Sequence, residues 1–392
     1  MPIYLNALSL KNYRGIGDIP QLMPSFKSFN FFIGANNAGK STVLNFISRY
    51  LPPRLVGRGR ISRQEPYKVD ELERHNGQAS CAIEMAIGFS PDDVLNALEQ
   101  KFPDVLSNTI YKKDLICLIN WLSDNGLIWK GGPVPYGEEL TIKRPEISTA
   151  IDLMNARRWQ NLWSSLTNHG SGDILKHWIP ETINVVENAL NVSLPPVSII
   201  PAIRQIGPKG ASFEDYSGVG LIDQLASIQN PEFNRRDDRT TFKCINSFLQ
   251  YVTGKENAEI EIPYSREHVL VHMDGRVLPL SSLGTGIHEV VMIAAFCTIA
   301  KNQIICIEEP EIHLHPLLQR KLISYLSNNT SNQYFIATHS AAFIDTPNAA
   351  IFHVYQHENT THVREALLKR ERHAICLDLG LNRPGFPGGS YL

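Results

Sequence analysis

Short apolar runs bounded by glycine, proline or charge recur along this chain, and between them apolar residues return every third or fourth position among polar ones. That alternation predicts buried parallel strands separated by amphipathic helices, the pattern of an α/β sheet covered on both faces. The strand-like runs are Phe31-Phe32-Ile33, Val197-Ser198-Ile199-Ile200, Ile304-Ile305-Cys306-Ile307 and Tyr334-Phe335-Ile336-Ala337, with Val354-Tyr355 on a final strand. Helices are predicted from Val43 onward, around Thr241 to Val252, from Val290 to Ile299 and from Leu317 to Ser327, while Ala82 to Ile87 reads as a further strand. Asp274-Gly275 has the chemistry of a tight turn in a hairpin running from Ile260 to Leu280. From Ser90 to Pro195 the pattern turns helical and amphipathic, as in Leu115-Ile116-Cys117-Leu118-Ile119-Asn120-Trp121-Leu122, and Trp159, Trp163 and Trp178 lie in its second half. Residues 1–89 therefore read as a first lobe, 90–195 as a helical insertion and 196–392 as a second lobe.

The loop after Phe31-Phe32-Ile33 carries the chemistry. Gly34-Ala35-Asn36-Asn37-Ala38-Gly39-Lys40-Ser41-Thr42 satisfies the phosphate-loop pattern G-x-x-x-x-G-K-[ST], with a strand before it and a helix after it. In that setting the backbone N–H groups and the positive end of the helix converge on phosphates. Gly34 and Gly39 let the backbone curl, Lys40 reaches phosphate oxygens as a point charge, and the Ser41 hydroxyl is placed to ligate Mg²⁺. A chance glycine-rich turn would not bring strand, loop and helix into register. The chain is expected to bind a nucleoside triphosphate.

Hydrolysis needs carboxylates near the phosphates, and Ile304-Ile305-Cys306-Ile307 delivers Glu308-Glu309 before Pro310 ends the strand. Adjacent side chains at a strand tip point in different directions, so Glu308 is expected in the Mg²⁺ shell and Glu309 facing the attacking water. His339 is expected at the tip of the neighbouring strand, Tyr334 to Ala337, where its imidazole could hydrogen-bond a γ-phosphate near neutral pH. Leu283-Gly284-Thr285-Gly286-Ile287-His288-Glu289 is a small-residue turn that opens an apolar helix, a second anion site.

The order of these parts resembles ABC-type ATPases, and the resemblance implies an α/β P-loop NTPase of ABC-ATPase head type with an inserted helical arm. It further implies that Thr285 and Gly286 face the phosphate loop of a second subunit, sandwiching ATP in a head-to-tail homodimer or larger homo-oligomer. Ile287 stands where the family has a second glycine, and Glu308 where it has aspartate. Gln64 would be the glutamine that joins Mg²⁺ and water, with Gln78 as its rival. A narrower resemblance is to the OLD (overcoming lysogenization defect) family and related ATPases of bacterial anti-phage systems. It is carried by Leu8-Ser9-Leu10-Lys11-Asn12-Tyr13-Arg14-Gly15-Ile16, the phosphate loop, Ile200-Pro201-Ala202-Ile203-Arg204, Ser282-Leu283-Gly284-Thr285-Gly286 and Glu308-Glu309-Pro310-Glu311-Ile312-His313-Leu314-His315-Pro316. By that resemblance Arg14 approaches nucleotide phosphates; an ordinary surface arginine in a turn is the other reading. OLD proteins continue into a TOPRIM nuclease domain, whereas the stretch after His339 holds only a strand, a basic Leu367-to-Arg372 segment and a Gly/Pro tail. The nuclease is accordingly expected as a separate partner protein, or the chain as a shortened member of the family.

Composition refines this picture only modestly. The 392 residues are 43% hydrophobic, enough for a packed core. No run approaches the roughly 18 apolar residues of a membrane span, and no charged-then-apolar leader opens the chain, so a cytoplasmic protein without membrane association is expected. Six cysteines without C-x-x-C pairing fit reduced thiols. A net charge of −2 gives no global push toward nucleic acid. Local basic clusters, Arg54, Arg58, Arg60 and Arg63, and Arg235, Arg236 and Arg239, leave direct DNA contact open, although a solvated mixed-charge face accounts for them as well. His313-Leu314-His315 has metal-like spacing but names no third ligand, and Asp215, Asp223, Asp237 and Asp238 form no two-metal pattern. Two other functions fit the motifs: a DNA repair or recombination ATPase, and a scaffold that holds bound ATP to restrain a toxin with little turnover.

Overall fold

The computed structural model describes residues 1–51, 70–75, 81–134, 140–190, 194–204 and 220–380. In chain order, β1 (Ala7–Lys11), β2 (Gln21–Met23), β3 (Phe29–Ile33) and α1 (Lys40–Tyr50) precede β4 (Ile83–Phe89). Three helices follow, α2 (Pro91–Lys101), α3 (Pro103–Ser107) and α4 (Thr109–Leu122), then β5 (Ile128–Val134), β6 (Thr141–Ile142), α5 (Ala156–Thr167) and α6 (Ile179–Ala189). Next come β7 (Val197–Ile200), α7 (Leu221–Gln229), α8 (Asp238–Thr253), β8 (Glu259–Glu261), β9 (Leu270–Met273), β10 (Arg276–Pro279) and α9 (Thr285–Ile299). The last elements are β11 (Ile304–Glu308), α10 (Pro316–Asn329), β12 (Gln333–Thr338), β13 (Ala350–His357), β14 (Thr360–Glu365) and α11 (Lys369–Asp378).

These elements form two compact units. The first unit is built on a sheet of order β14-β13-β3-β12-β11-β7, in which the five strands from β13 to β7 run parallel and β14 turns back on β13. Every residue of β3 and β12 is buried, as the apolar runs predict for strands covered on both faces. On one face Phe31, Ile33, Ile336 and Ile351 pack with residues of α9, which is apolar on every side from Val290 onward because the helix is buried from Glu289 to Thr298. On the other, Phe32 stacks on Phe352 at 5.1 Å between centroids and Phe26 meets Phe335 edge-on at 4.9 Å. Asn30 is polar and wholly buried, yet its amide donates to the carbonyls of Lys27 at 2.7 Å and Tyr334 at 2.9 Å, so its burial leaves no donor stranded. The expected hairpin is β9–β10: Met273 pairs with Arg276 across Asp274 (φ 52°) and Gly275 (φ 72°), the two left-handed residues of a tight turn. Val354 and Tyr355 do not lie on the last strand, because Glu358 and Asn359 (φ 48° and 59°) turn the chain back into β14.

The second unit holds an antiparallel sheet of order β2-β1-β4-β5-β6 and the helices α2 to α6. The first 89 residues therefore divide between the two units, since β1, β2 and β4 pack with the segment read as a helical insertion. That segment also contributes strands. β5 pairs with β4 from Ile83↔Val134 to Phe89↔Ile128 although it contains Lys130-Gly131-Gly132-Pro133, a sequence of poor strand propensity. Gly131 belongs there because a Cβ would stand 2.2 Å from the Met85 carbonyl oxygen. Trp159 and Trp163 are fully buried in the unit, and Trp163 Nε1 donates to Glu181 at 2.7 Å, so these two tryptophans fill the unit's own core. Among the described residues no helix is long and apolar enough to cross a membrane.

Candidate functional site

The phosphate loop leaves β3 at Gly34 and enters α1 at Lys40, and both glycines are required by what surrounds them. A Cβ on Gly34 would lie 1.9 Å from the Val354 carbonyl oxygen of β13. Gly39 caps α1 at φ 99°, and a Cβ there would lie 2.5 Å from the Thr361 hydroxyl of β14. The hairpin β13–β14 also bonds the loop: Gln356 Nε2 donates to the Asn37 carbonyl at 2.9 Å and the Thr361 hydroxyl to that of Ala38 at 3.3 Å. Asn36 and Asn37 are exposed at the tip of the loop, Ala38 and Thr42 are buried behind them, and Ser41 is half-buried on the first turn of the helix. The free N–H groups of a helix N-terminus make this an anion cradle.

Parallel pairing places β12 between β3 and β11, with Ile33 opposite Thr338 and Ala337 opposite Glu308. His339 thus stands between the phosphate loop and the acidic strand tip. Lys40 Nζ donates to the carbonyls of Gly34 and Ala35, each at 3.1 Å, and lies 3.3 Å from Glu309 Oε1. The other oxygen of Glu309 lies 2.6 Å from His339 Nδ1, so that nitrogen carries the proton that bridges them. Glu309 itself adopts φ 44°, a left-handed conformation uncommon for a non-glycine residue. Its backbone N–H is anchored on the Ala337 carbonyl at 2.8 Å.

A fourth group, Glu311, completes the cluster. It is buried, its Oε1 accepts from the His339 backbone N–H at 2.6 Å, and the same oxygen lies 3.1 Å from His339 Nδ1. Burial, and then its hydrogen bond with Glu309, push the Glu311 carboxyl up to about 7. Burial pushes Glu309 the same way, but its bond with Glu311, the Lys40 ammonium and His339 together hold it below the usual carboxylate range. The arrangement supplies an ionised carboxylate at the strand tip beside a second carboxyl that shares protons near neutrality. The oxygens of Glu309 and Glu311 and a nitrogen of His339 lie within 4.8 Å of one another, close enough to share a cation. Sequence reading did not single out Glu311; its signal was a third glutamate directly after the proline of Glu308-Glu309-Pro310.

The other predicted residues are placed as follows. Glu308 ends β11 half-buried, and α1, which carries Ser41, packs against β11. Thr285 opens α9 after Gly284, and Gly286 passes so close to the loop beyond Glu309 that a Cβ would stand 2.7 Å from the His313 carbonyl oxygen. His315 Nδ1 accepts from the Leu317 N–H at 3.2 Å and so caps α10, which gives that histidine a structural partner. Arg14 belongs to the second unit, where its guanidinium lies 3.2 Å from the buried Glu73. Arg235 pairs with Asp238 at 2.7 Å and Arg236 stacks on the Phe233 ring, the mixed-charge reading of that cluster. Asp223 pairs with Arg266 at 2.7 Å. Gln64, Gln78, Asp215 and the cluster from Arg54 to Arg63 lie outside the described residues.

Residues 219–344 match the AAA ATPase domain family. The Retron Vc95 probable ATPase of Vibrio cholerae serotype O1 biovar El Tor is 23% identical, over 88% of this chain and 72% of that protein. Among solved structures, the SMC head domain from Thermotoga maritima is 13% identical with a TM-score of 0.45, covering 93% of this chain and 100% of that one. An Smc head domain from Pyrococcus furiosus with an extended coiled coil, bound to the C-terminal domain of ScpA, is 14% identical with a TM-score of 0.45, covering 96% and 98%. The chain is an ATPase with an α/β P-loop fold.

Proposed function

We propose that this ATPase is the regulatory subunit of an anti-phage defence complex, an OLD-like ABC-type head that gates a separate nuclease. One observation carries the hydrolytic part: Lys40, Glu309, His339 and Glu311 converge at the tips of β11 and β12 beside the phosphate loop. The likeness to a retron ATPase over most of the chain supports the defence role.

In this reading the loop amides of Gly34 to Thr42, with Lys40, bind the phosphates of ATP. Lys40 exchanges Glu309 for phosphate oxygens on binding, which frees the Glu309 carboxylate to orient the attacking water and accept its proton. His339, held through Nδ1 by Glu309 and Glu311, presents Nε2 as the γ-phosphate sensor. The Ser41 hydroxyl and Glu308 carboxylate are hard oxygen donors of the kind Mg²⁺ selects, and they would hold it. When bound, Mg²⁺ neutralises charge on the phosphate oxygens. Thr285 and Gly286 complete the site from a second copy of the chain. The second unit provides the arm on which a partner docks.

The test is to co-purify the chain with its neighbouring gene product and measure assembly mass and ATP turnover for wild type and Glu309→Gln. A nuclease partner that associates in the presence of ATP is the expected result. Turnover stimulated by DNA without any partner would replace the proposal with a repair or recombination ATPase, and ATP retention without turnover would replace it with a scaffold.

A further inference from the structure

Arg204 lies just beyond β7, and none of its side chain is exposed. Its planar fork reaches in two directions. Nη1 donates to Glu289 Oε2 at 3.1 Å, while Nη2 donates to the backbone carbonyl of Glu308 and, at 3.3 Å, to that of Glu309. Glu311 also lies within electrostatic reach of the guanidinium. A buried guanidinium is retained only where its partners are well placed, because desolvating the charge is costly.

Those partners belong to two different elements of the site, the first turns of α9 and the tip of β11. Glu289 sits one helical turn beyond Thr285, on the same face of α9, so the first turn of that helix and Glu289 move together. The carbonyls of Glu308 and Glu309 frame the left-handed peptide that aims the Glu309 carboxylate. A second contact joins the same parts: the close approach of Gly286 to the His313 carbonyl leaves no slack between the helix start and the loop after Glu309.

We infer that Arg204 is a positioning residue that sets the Glu309 backbone for hydrolysis and ties that setting to the first turn of α9. The inference rests on the proposed roles of Glu309 and of the Thr285–Gly286 turn. A phosphate received at the N-terminus of α9 displaces Glu289, and Arg204 carries the displacement to the acidic tip. Lysine could not substitute, since an ammonium lacks the planar fork that bonds a carboxylate and two carbonyls at once.

The full-length chain tests this with Arg204→Lys, Glu289→Gln and the double variant. Affinity for a non-hydrolysable ATP analogue and steady-state kcat and KM are measured for each. Both single variants should bind the analogue within about twofold of wild type while kcat falls by about tenfold or more, and the double variant should fall no further than the worse single one. Unchanged kcat in both variants overturns the inference, and so does parallel loss of affinity and kcat, which marks a general structural role. If Arg204→Lys does not fold, Glu289→Gln carries the test alone, because it keeps the side-chain volume and an oxygen acceptor. A wild-type chain that binds the analogue without turning over ATP overturns the underlying reading of Glu309 instead.

Discussion

Lys40 Nζ lies 3.3 Å from Glu309 Oε1, so the cation expected to hold phosphate and the carboxylate expected to activate water are each other's partner. Neither is idle in this arrangement, and binding ATP must exchange one ion pair for another. Glu309→Gln removes the charge that Lys40 must leave, so nucleotide affinity should hold or tighten. Hydrolysis should fall by roughly 10²–10⁴, the usual loss of a positioned base. Equilibrium binding and single-turnover assays on the same preparation check both halves, and undiminished turnover would remove Glu309 from the mechanism.

Lys40→Met reverses the expectation. The half-buried Glu309 carboxylate loses its cation, and the phosphate loop loses its point charge. Nucleotide affinity should drop by about 100-fold, an energetic loss of about 2.7 kcal/mol, readable by calorimetric titration. Affinity within a few-fold of wild type would show that the loop amides suffice.

Glu311 makes a prediction about pH. Its carboxyl is pushed up to about 7, chiefly by burial, from the ordinary range near 4.5. The folded protein therefore binds this proton more tightly than the unfolded chain. The resulting stabilisation is fully present below the ordinary carboxylate range and is lost as pH rises through about 7. Glu311→Gln should flatten the fall in stability between about pH 5 and 7.5 by on the order of 2–3 kcal/mol. Glu365, also pushed up to about 7 by burial, remains in both proteins and cancels in the comparison. Parallel melting curves across that window would show that Glu311 is ionised throughout.

The glycines of the phosphate loop separate steric from conformational cost. The methyl of Gly34→Ala would meet the Val354 backbone carbonyl at 1.9 Å, an atom that cannot swing aside, and should abolish nucleotide binding with a clear loss of melting temperature. Gly39→Ala meets the Thr361 side chain at 2.5 Å and keeps a φ of 99° that alanine resists, a cost of about 1–3 kcal/mol. Thr361→Ala should recover part of the Gly39→Ala loss and none of the Gly34→Ala loss. Thermal denaturation of the single and double variants checks this, and equal rescue of both would mean that hairpin contact rather than loop conformation sets the cost.

Much of the first unit was legible because its determinants are local. An apolar run, a glycine-rich loop and the start of a helix must follow one another within about a dozen residues to cradle a phosphate, and Phe31 to Thr42 do so in order. The Asp274-Gly275 turn is equally local. β5 escaped notice for the converse reason: Lys130-Gly131-Gly132-Pro133 becomes a strand by pairing with β4, and no window centred on it contains that partner.

By itself the sequence determined the phosphate loop, the buried strands around it and the carboxylates at the tip of β11, since each depends on spacing along one short segment. The tertiary structure alone decided that β12 stands between β3 and β11, that Glu309 answers to Lys40 and His339, that Glu311 is drawn into their cluster, and that Arg204 ties α9 to the acidic tip. Those relationships join segments remote in the chain. They depend on burial and on the direction of single polar atoms, and both come into being only when the sheet has closed.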